Sequence, residues 1–401
     1  MKQNKSKETW VKPRHAIIRN VACFLLSPYA KWKFDIKINK FSNPENRQFL
    51  IIMNHQTSFD QFFVGMSIPG PIYYIATEDI FSLGWLSSLL RYAVAPIPIK
   101  KQTTDLQAVK NCVRVVKEGG TIALAPEGNR TYNGKTVYIK PSIVKLIKIL
   151  KLPLAIFRIE GGYGVQPRWS DVVRKGGMTA GVYRVIEPEE YLALSDDELY
   201  QLVQKELHVD ESNDQKLYYS KKNAEYLERV IYVCPHCGLS TFFSRGDILE
   251  CTKCHLQVRY LPNKQFQGIG FDHPFASIAE WYDYQCNFVN QLDWTQYTDA
   301  PMYQETAQLS EVLLYKHKVL LNKNASITLY GDRILINDLL IPFEEAGTVT
   351  VLGKNKLNIY FKDKVYQLKG AKSFNALKYM NLYHHYKNIR KGDSNEQFLG
   401  L

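Results

Sequence analysis

From residue 47 to about 188, short apolar runs alternate with stretches of helical period. Phe49-Leu50-Ile51-Ile52-Met53 and Ile72 to Thr77 read as buried strands, and Ser82 to Tyr92 as a helix. Val94 to Ile99 reads as extended chain, its ends restricted by Pro96 and Pro98. Between Thr104 and Glu118, Leu106, Val109, Val113 and Val116 recur at three- and four-residue spacing, which predicts an amphipathic helix closed by Gly119-Gly120. Thr121 to Ala125, Ile143 to Leu150 and Leu154 to Ile159 continue as strand, helix, strand. This alternation predicts an α/β domain, a mixed sheet flanked by helices. Ser195-Asp196-Asp197-Glu198 is a capping box opening a helix to about His208, and the polar residues 209–222 read as a linker.

After about Pro301 the texture changes to short strands: Val312 to Tyr315, Ser326 to Tyr330, Arg333 to Ile336, Thr348 to Leu352, Leu357 to Phe361 and Val365 to Leu368. Gly331-Asp332, Gly353-Lys354-Asn355 and Asp363-Lys364 supply turns between them, and a helix follows from Phe374 to Tyr386. A meander of strands capped by one helix resembles the pleckstrin-homology superfold, so a mainly-β domain of that kind is expected over 303–392.

A chain of 401 residues is too long for one ordinary core, and two or three domains are expected. The net charge of +12 favours an anionic partner. Residues 1–40 hold ten Lys or Arg against Glu8 and Asp35. Interleaved are Ala16-Ile17-Ile18, the run Val21 to Leu26, and Trp10, Tyr29 and Trp32. That apolar run is far short of the ~20 residues of a spanning helix, and no small-residue cleavage site follows it. The segment reads as a basic amphipathic anchor at an anionic membrane surface, or more plainly as a helix packed on the neighbouring domain. The first reading places the protein at the cytoplasmic face of a membrane, peripheral or monotopic.

Two short blocks follow strands. Asn54-His55-Gln56-Thr57-Ser58-Phe59-Asp60 leaves the first, where side chains project into the crevice at the end of an α/β sheet. His55 is suited to general-base work near neutral pH, and a carboxylate five residues on can fold back across one turn to fix its tautomer. No Ser or Cys stands at triad spacing, so the base is expected to activate a hydroxyl of the substrate. Ala125-Pro126-Glu127-Gly128-Asn129-Arg130-Thr131 leaves another strand. Gly128 permits close backbone approach, Arg130 offers a planar fork for phosphate, and Glu127 would hold Arg130 or bind a polar headgroup.

Together these blocks resemble the glycerol-phosphate acyltransferase superfamily, with 1-acyl-glycerol-3-phosphate (lysophosphatidate) acyltransferase as its type. The family pattern Asn-His-x-x-x-x-Asp is matched by Asn54 to Asp60, and Pro-Glu-Gly-Thr-Arg-Ser by Pro126 to Thr131. The family's apolar-flanked Pro is matched at Leu152-Pro153-Leu154-Ala155, and the resemblance covers roughly 15–210. The family's second block departs: Thr77-Glu78-Asp79 stands where a Lys is usual, and Lys100-Lys101 where an Arg is usual. The resemblance implies that His55, oriented by Asp60, deprotonates the free hydroxyl of a lysophospholipid. The hydroxyl then attacks the thioester of acyl-CoA or acyl-carrier protein. It also implies that Glu127, Gly128, Asn129 and Arg130, with Lys100 or Lys101, bind the acceptor phosphate, and that no catalytic cofactor is needed.

Cys234-Pro235-His236-Cys237 and Cys251-Thr252-Lys253-Cys254 are two Cys-x-x-Cys knuckles with Gly238 after the first and a strand-like stretch between. Four thiolates at this spacing predict a structural zinc ribbon, with His236 and His255 as exposed bystanders. The expected organisation is an anchor over 1–40, an acyltransferase domain over 41–210, linker and ribbon over 211–265, a connecting helix over 266–302, the β domain over 303–392 and a tail over 393–401. Residues 234–254 carry Arg245 and Lys253 against Asp247 and Glu250, which cancel, so no nucleic-acid partner is expected. The competing readings are acylation of another lysolipid or an amino-acid-lipid, and a non-enzymatic lipid-binding or regulatory protein.

Overall fold

The computed structural model describes residues 9–99, 105–313 and 316–391. They divide into two compact units. The first runs to Asn129 and takes in Ile139–Glu160 and Gly177–Val209. The second comprises Arg130–Tyr138, Gly161–Gly176 and the chain from Asp210 on.

The first unit opens on helix α1 (Pro13–Phe34), followed by strand β1 (Ile36–Ile38), β2 (Leu50–Met53) and helix α2 (Asp60–Ser67). Then come β3 (Ile72–Thr77), α3 (Trp85–Val94), β4 (Ile97–Ile99), α4 (Leu106–Lys117), β5 (Thr121–Leu124), α5 (Ser142–Leu150), β6 (Leu154–Glu160) and β7 (Met178–Ile186). The seven strands form one sheet in the order β1-β7-β6-β2-β5-β3-β4. All neighbours run parallel except β6 and β7, which is the mixed sheet the alternation implies. β2 is buried along its whole length because it lies in the middle. Leu50 and Ile52 join a core with Cys112, Val115, Val144, Ile147, Leu199 and Val203 from the helices. Ile51 and Met53 alternate to the opposite face and are buried there.

The sequence pattern missed β1 and β7. β7 alternates buried Met178, Ala180 and Ile186 with exposed Tyr183 and Arg184, so its apolar signal is diluted by its solvent side. The basic segment before residue 40 forms helix α1, strapped to its unit at the N-terminal end. Trp10 and Val11 donate their N–H groups to Glu118, the Trp10 indole bonds the Ala95 carbonyl at 2.8 Å, and buried His15 meets the Tyr73 hydroxyl at 3.0 Å. At its far end Phe34 packs on Phe59 and Phe63. No helix among the described residues is long and apolar enough to cross a membrane.

The second unit contains a four-stranded antiparallel meander over 242–268 and a seven-stranded antiparallel sheet over 303–370, followed by the helix Ala376–Lys391. Numbered along the chain, the seven strands lie in the order fourth, third, second, first, seventh, sixth, fifth. The expected strand at 312–315 is instead Tyr303–Val312, whose Gln, Glu and Ser residues conceal it. That strand owes its place to ladders on both sides, with Lys318–Leu329 and with Lys364–Gly370. The strand Leu339–Pro342 was also missed.

Residues 209–222 are not a free linker. Tyr218 is buried against Gly164 and Gly176, where an added Cβ would come within 2.2 and 2.3 Å of its ring. Glu211, also buried, accepts the N–H groups of Gly161 at 2.6 Å and Tyr163 at 3.1 Å.

Burial pushes the Glu211 carboxyl up to about 7, against the downward pull of the Gly161 N–H and the Lys264 ammonium. Its ordinary value is 4.5. Between these values the folded chain binds more protons than the unfolded one. The contribution of this one group to stability is therefore full below pH ~4.5 and is lost, by on the order of 3 kcal/mol, as pH rises towards 7. Denaturant unfolding of wild type and Glu211→Gln across pH 4.5 to 8 checks this. The amide variant is expected to lose that slope, and an unchanged slope would assign it to other groups.

Candidate active site and cysteine cluster

β2, β5 and β6 are parallel and end at the same sheet edge, so the segments that leave them lie side by side. Immediately beyond β2, the Asn54 amide donates to the Ile159 carbonyl and accepts the Ile159 N–H, both at 2.8 Å. This side chain extends the β2–β6 ladder past the last strand residue.

The Nδ1 of His55, the next residue, lies 2.7 Å from Oδ2 of Asp60. Asp60 opens α2 and is fully buried. Its carboxylate also accepts the Gln56 N–H at 2.7 Å, the Thr57 N–H at 2.9 and 3.1 Å, and the Thr57 hydroxyl at 2.6 Å. The Thr57 hydroxyl in turn accepts the Phe59 N–H at 3.0 Å. A backbone N–H can only donate, so both carboxylate oxygens act as acceptors, and Nδ1 of His55 is the donor to Oδ2. In the neutral ring this leaves Nε2 unprotonated, the form a general base requires. The ring is 19% exposed, enough for a substrate atom to reach it. Among the described residues no Ser or Cys bonds that nitrogen, so the geometry suits deprotonation of a hydroxyl on a bound molecule.

Beyond β5, buried Glu127 turns inwards and its Oε1 accepts the backbone N–H of His55 at 2.8 Å. This backbone contact is one that the sequence pattern does not include. Gly128 follows with φ +68°, an exposed left-handed position that a side chain would strain by ~1–2 kcal/mol.

Residues 36–158 match the Acyltransferase family profile. That stretch carries the chain's likeness to acyltransferases. The chain is 26% identical over 141 residues to a 1-acyl-sn-glycerol-3-phosphate acyltransferase of Bacillus subtilis, covering 35% of this chain and 67% of that one. It is 23% identical over 155 residues to a chloroplastic 1-acyl-sn-glycerol-3-phosphate acyltransferase of Brassica napus, covering 38% and 44%. The chain thus spans about two thirds of the bacterial relative and under half of the plastid one. Among solved structures, the 1-acyl-sn-glycerophosphate acyltransferase PlsC of Thermotoga maritima aligns over 47% of this chain and 78% of its own at 19% identity, with a TM-score of 0.38.

The first unit brings His55, Asp60 and Glu127 together, with Gly128 and Asn129 next in the same unit. Arg130 opens the second unit, where its carbonyl accepts from Arg168 at 3.1 Å. Lys100 and Lys101 lie outside the described residues. Sequence reasoning passed over Asn54 and Thr57 as active-site scaffolding. The available signal was a short polar side chain immediately after a buried strand and another three residues before the Asp.

In the second unit the sulfur atoms of Cys234, Cys237, Cys251 and Cys254 all lie within 4.8 Å of one another, a set able to hold a metal ion. The knuckles are built alike. The N–H groups of His236 and Cys237 bond the Cys234 sulfur, and those of Lys253 and Cys254 bond the Cys251 sulfur. The residue after each knuckle is left-handed, Gly238 at φ +69° and His255 at φ +57°. Burial opposes ionisation of the sulfurs and pushes the Cys234 thiol up, the backbone donors work against it, and four sulfurs this close fit a thiophilic cation. His236 and His255 are both exposed; His255 pairs with Glu250 at 2.8 Å.

Asp60→Asn substitutes an amide whose NH₂ can face Nδ1 and favour the wrong tautomer. Transfer from a thioester donor, followed by thiol release, is expected to fall by ~10²–10⁴. Thr57→Val removes one donor to Asp60 and should cost roughly tenfold. Asp60→Asn turnover within threefold of wild type would show that the dyad does not carry the reaction.

Proposed function

We propose that this protein transfers a fatty acyl group from acyl-CoA or acyl-carrier protein to the free hydroxyl of a lysophospholipid. The favoured acceptor is 1-acylglycerol-3-phosphate, giving phosphatidic acid for phospholipid synthesis. The carrying observation is the His55–Asp60 dyad at the end of β2, with Nε2 left unprotonated inside an acyltransferase-family domain. His55 takes the acceptor's proton as its oxygen attacks the thioester carbonyl, and Asp60 stabilises the imidazolium that forms. The protonated ring then delivers its proton as the thiol departs. Arg130, Gly128 and Asn129, with Lys100 or Lys101, are the proposed phosphate contacts, on the block resemblance and the similarity to 1-acyl-sn-glycerol-3-phosphate acyltransferases.

The same reading places the enzyme on the cytoplasmic face of a membrane. Ile17, Val21, Phe24, Leu25 and Trp32 recur along α1 at helical spacing and are all exposed, as are Trp85, Leu89 and Tyr92 on α3, which packs beside it in the same unit. Such an apolar area fits the interfacial layer of a bilayer, and the Lys and Arg of the segment fit its anionic headgroups. The sheet order of the second unit, first strand central and helix last, supports a pleckstrin-homology-like domain, and the cysteine cluster supports one structural zinc.

The deciding experiment presents the full chain with labelled acyl-CoA or acyl-carrier protein and vesicles carrying single lysolipids, with products identified by mass. Phosphatidic acid from 1-acylglycerol-3-phosphate is expected, absent in His55→Ala and reduced by salt. Product formed with another lysolipid and not with this one would move the acceptor. No product with any would reject the activity.

Elemental analysis of protein purified under reducing conditions should give about one zinc per chain, lost in Cys251→Ser together with local folding near residues 230–262. Zinc-free, folded wild type would refute that site.

A further inference from the structure

Glu127 belongs to the block that resemblance assigns to the acceptor phosphate, but its surroundings differ from those of a ligand for an anion. It is 2% exposed, and its Oε1 accepts the His55 N–H at 2.8 Å. A buried carboxylate repels a phosphate instead of binding it. The contact follows from sheet register. Ile52 of β2 pairs with Leu124 of β5, and three residues beyond each come His55 and Glu127. On the other flank the Asn54 amide grips both backbone groups of Ile159 beyond the β2–β6 pairs. The backbone at the base is therefore held from both neighbouring strands, by Asn54 on one side and Glu127 on the other. Asp60 fixes the ring and, through the Gln56 and Thr57 N–H groups, the turn after it, whereas the His55 N–H itself is held by Glu127. Gly128, next in the chain, is left-handed and exposed, while Glu127 is buried.

We propose that Glu127 is a positioning residue that anchors the His55 backbone to β5, and is not a ligand of the acceptor. The inference rests on His55 being the base of the acyl transfer proposed above. Shifting that backbone by about 1 Å costs on the order of 10²-fold in rate while leaving acceptor binding alone.

The experiment compares Glu127→Ala, Glu127→Gln and Glu127→Asp in the full chain, with circular dichroism melts to confirm folding. Gln keeps an acceptor oxygen at the same reach, whereas Asp keeps the charge but is one methylene short. Anchoring predicts that Ala and Asp lower kcat by ~10²-fold with acceptor KM within about threefold, and that Gln recovers to within about fivefold of wild type. A ligand role predicts the reverse: acceptor KM rising tenfold or more in Gln with kcat kept. That result, or a Gln variant as inactive as Ala, would overturn the proposal.

A second readout does not depend on turnover. The His55 Nδ1–H resonance in ¹⁵N-histidine-labelled protein, assigned by its loss in His55→Ala, should move in Ala and Asp and hold in Gln. If wild type acylates no lysolipid, the functional reading fails while this resonance still decides the anchor. An Ala spectrum identical to wild type would reject it.

Discussion

The position of β2 between two parallel neighbours is the constraint on which the rest of the site depends. Parallel strands that end together release their loops at one edge, and the register sets which loop residues face each other. Given Ile52 opposite Leu124 and Met53 opposite Phe157, the residues just beyond can be tied sideways with no further folding. Asn54 and Glu127 make those ties with side chains standing in for ladder partners. The result is an imidazole on an irregular segment that is tied to both neighbours as a strand would be.

The dyad achieves its directionality through hydrogen-bond valence. Asp60 is fully buried, a costly place for a carboxylate unless its lone pairs are filled. Gln56, Thr57 and His55 fill them, and two of these donors are backbone N–H groups that cannot reverse. The acid is thereby locked as an acceptor, and the imidazole has one orientation and one tautomer left. Phe59 of the same loop packs on Phe34 at the end of α1, so the turn that carries the dyad and the exposed apolar helix share one small aromatic cluster.

In the second unit, local backbone geometry does similar work around the cysteines. Each knuckle aims two N–H groups at its first sulfur and then turns through a left-handed residue. Glycine takes this conformation freely at 238, and His255 takes it with strain, so the geometry is imposed by more than local preference.

The sequence by itself determined a good deal. Apolar runs buried on both faces marked β2, β3, β5 and β6, because central parallel strands need little alternation. Helical periodicity located α4 and α5, and the spacing of Asn54-His55 to Asp60 and of the two Cys-x-x-Cys pairs marked side chains that the fold brings together, because the contacts within each block are local in the chain. Only the tertiary structure could decide what joins distant segments. It showed that the polar strand Tyr303–Val312 is central, since ladders on both sides replace an apolar signal. It showed that residues 209–222 hold a buried tyrosine and a buried acid. It also turned Glu127 towards a backbone N–H 72 residues away, a contact that strand register creates and no local pattern encodes.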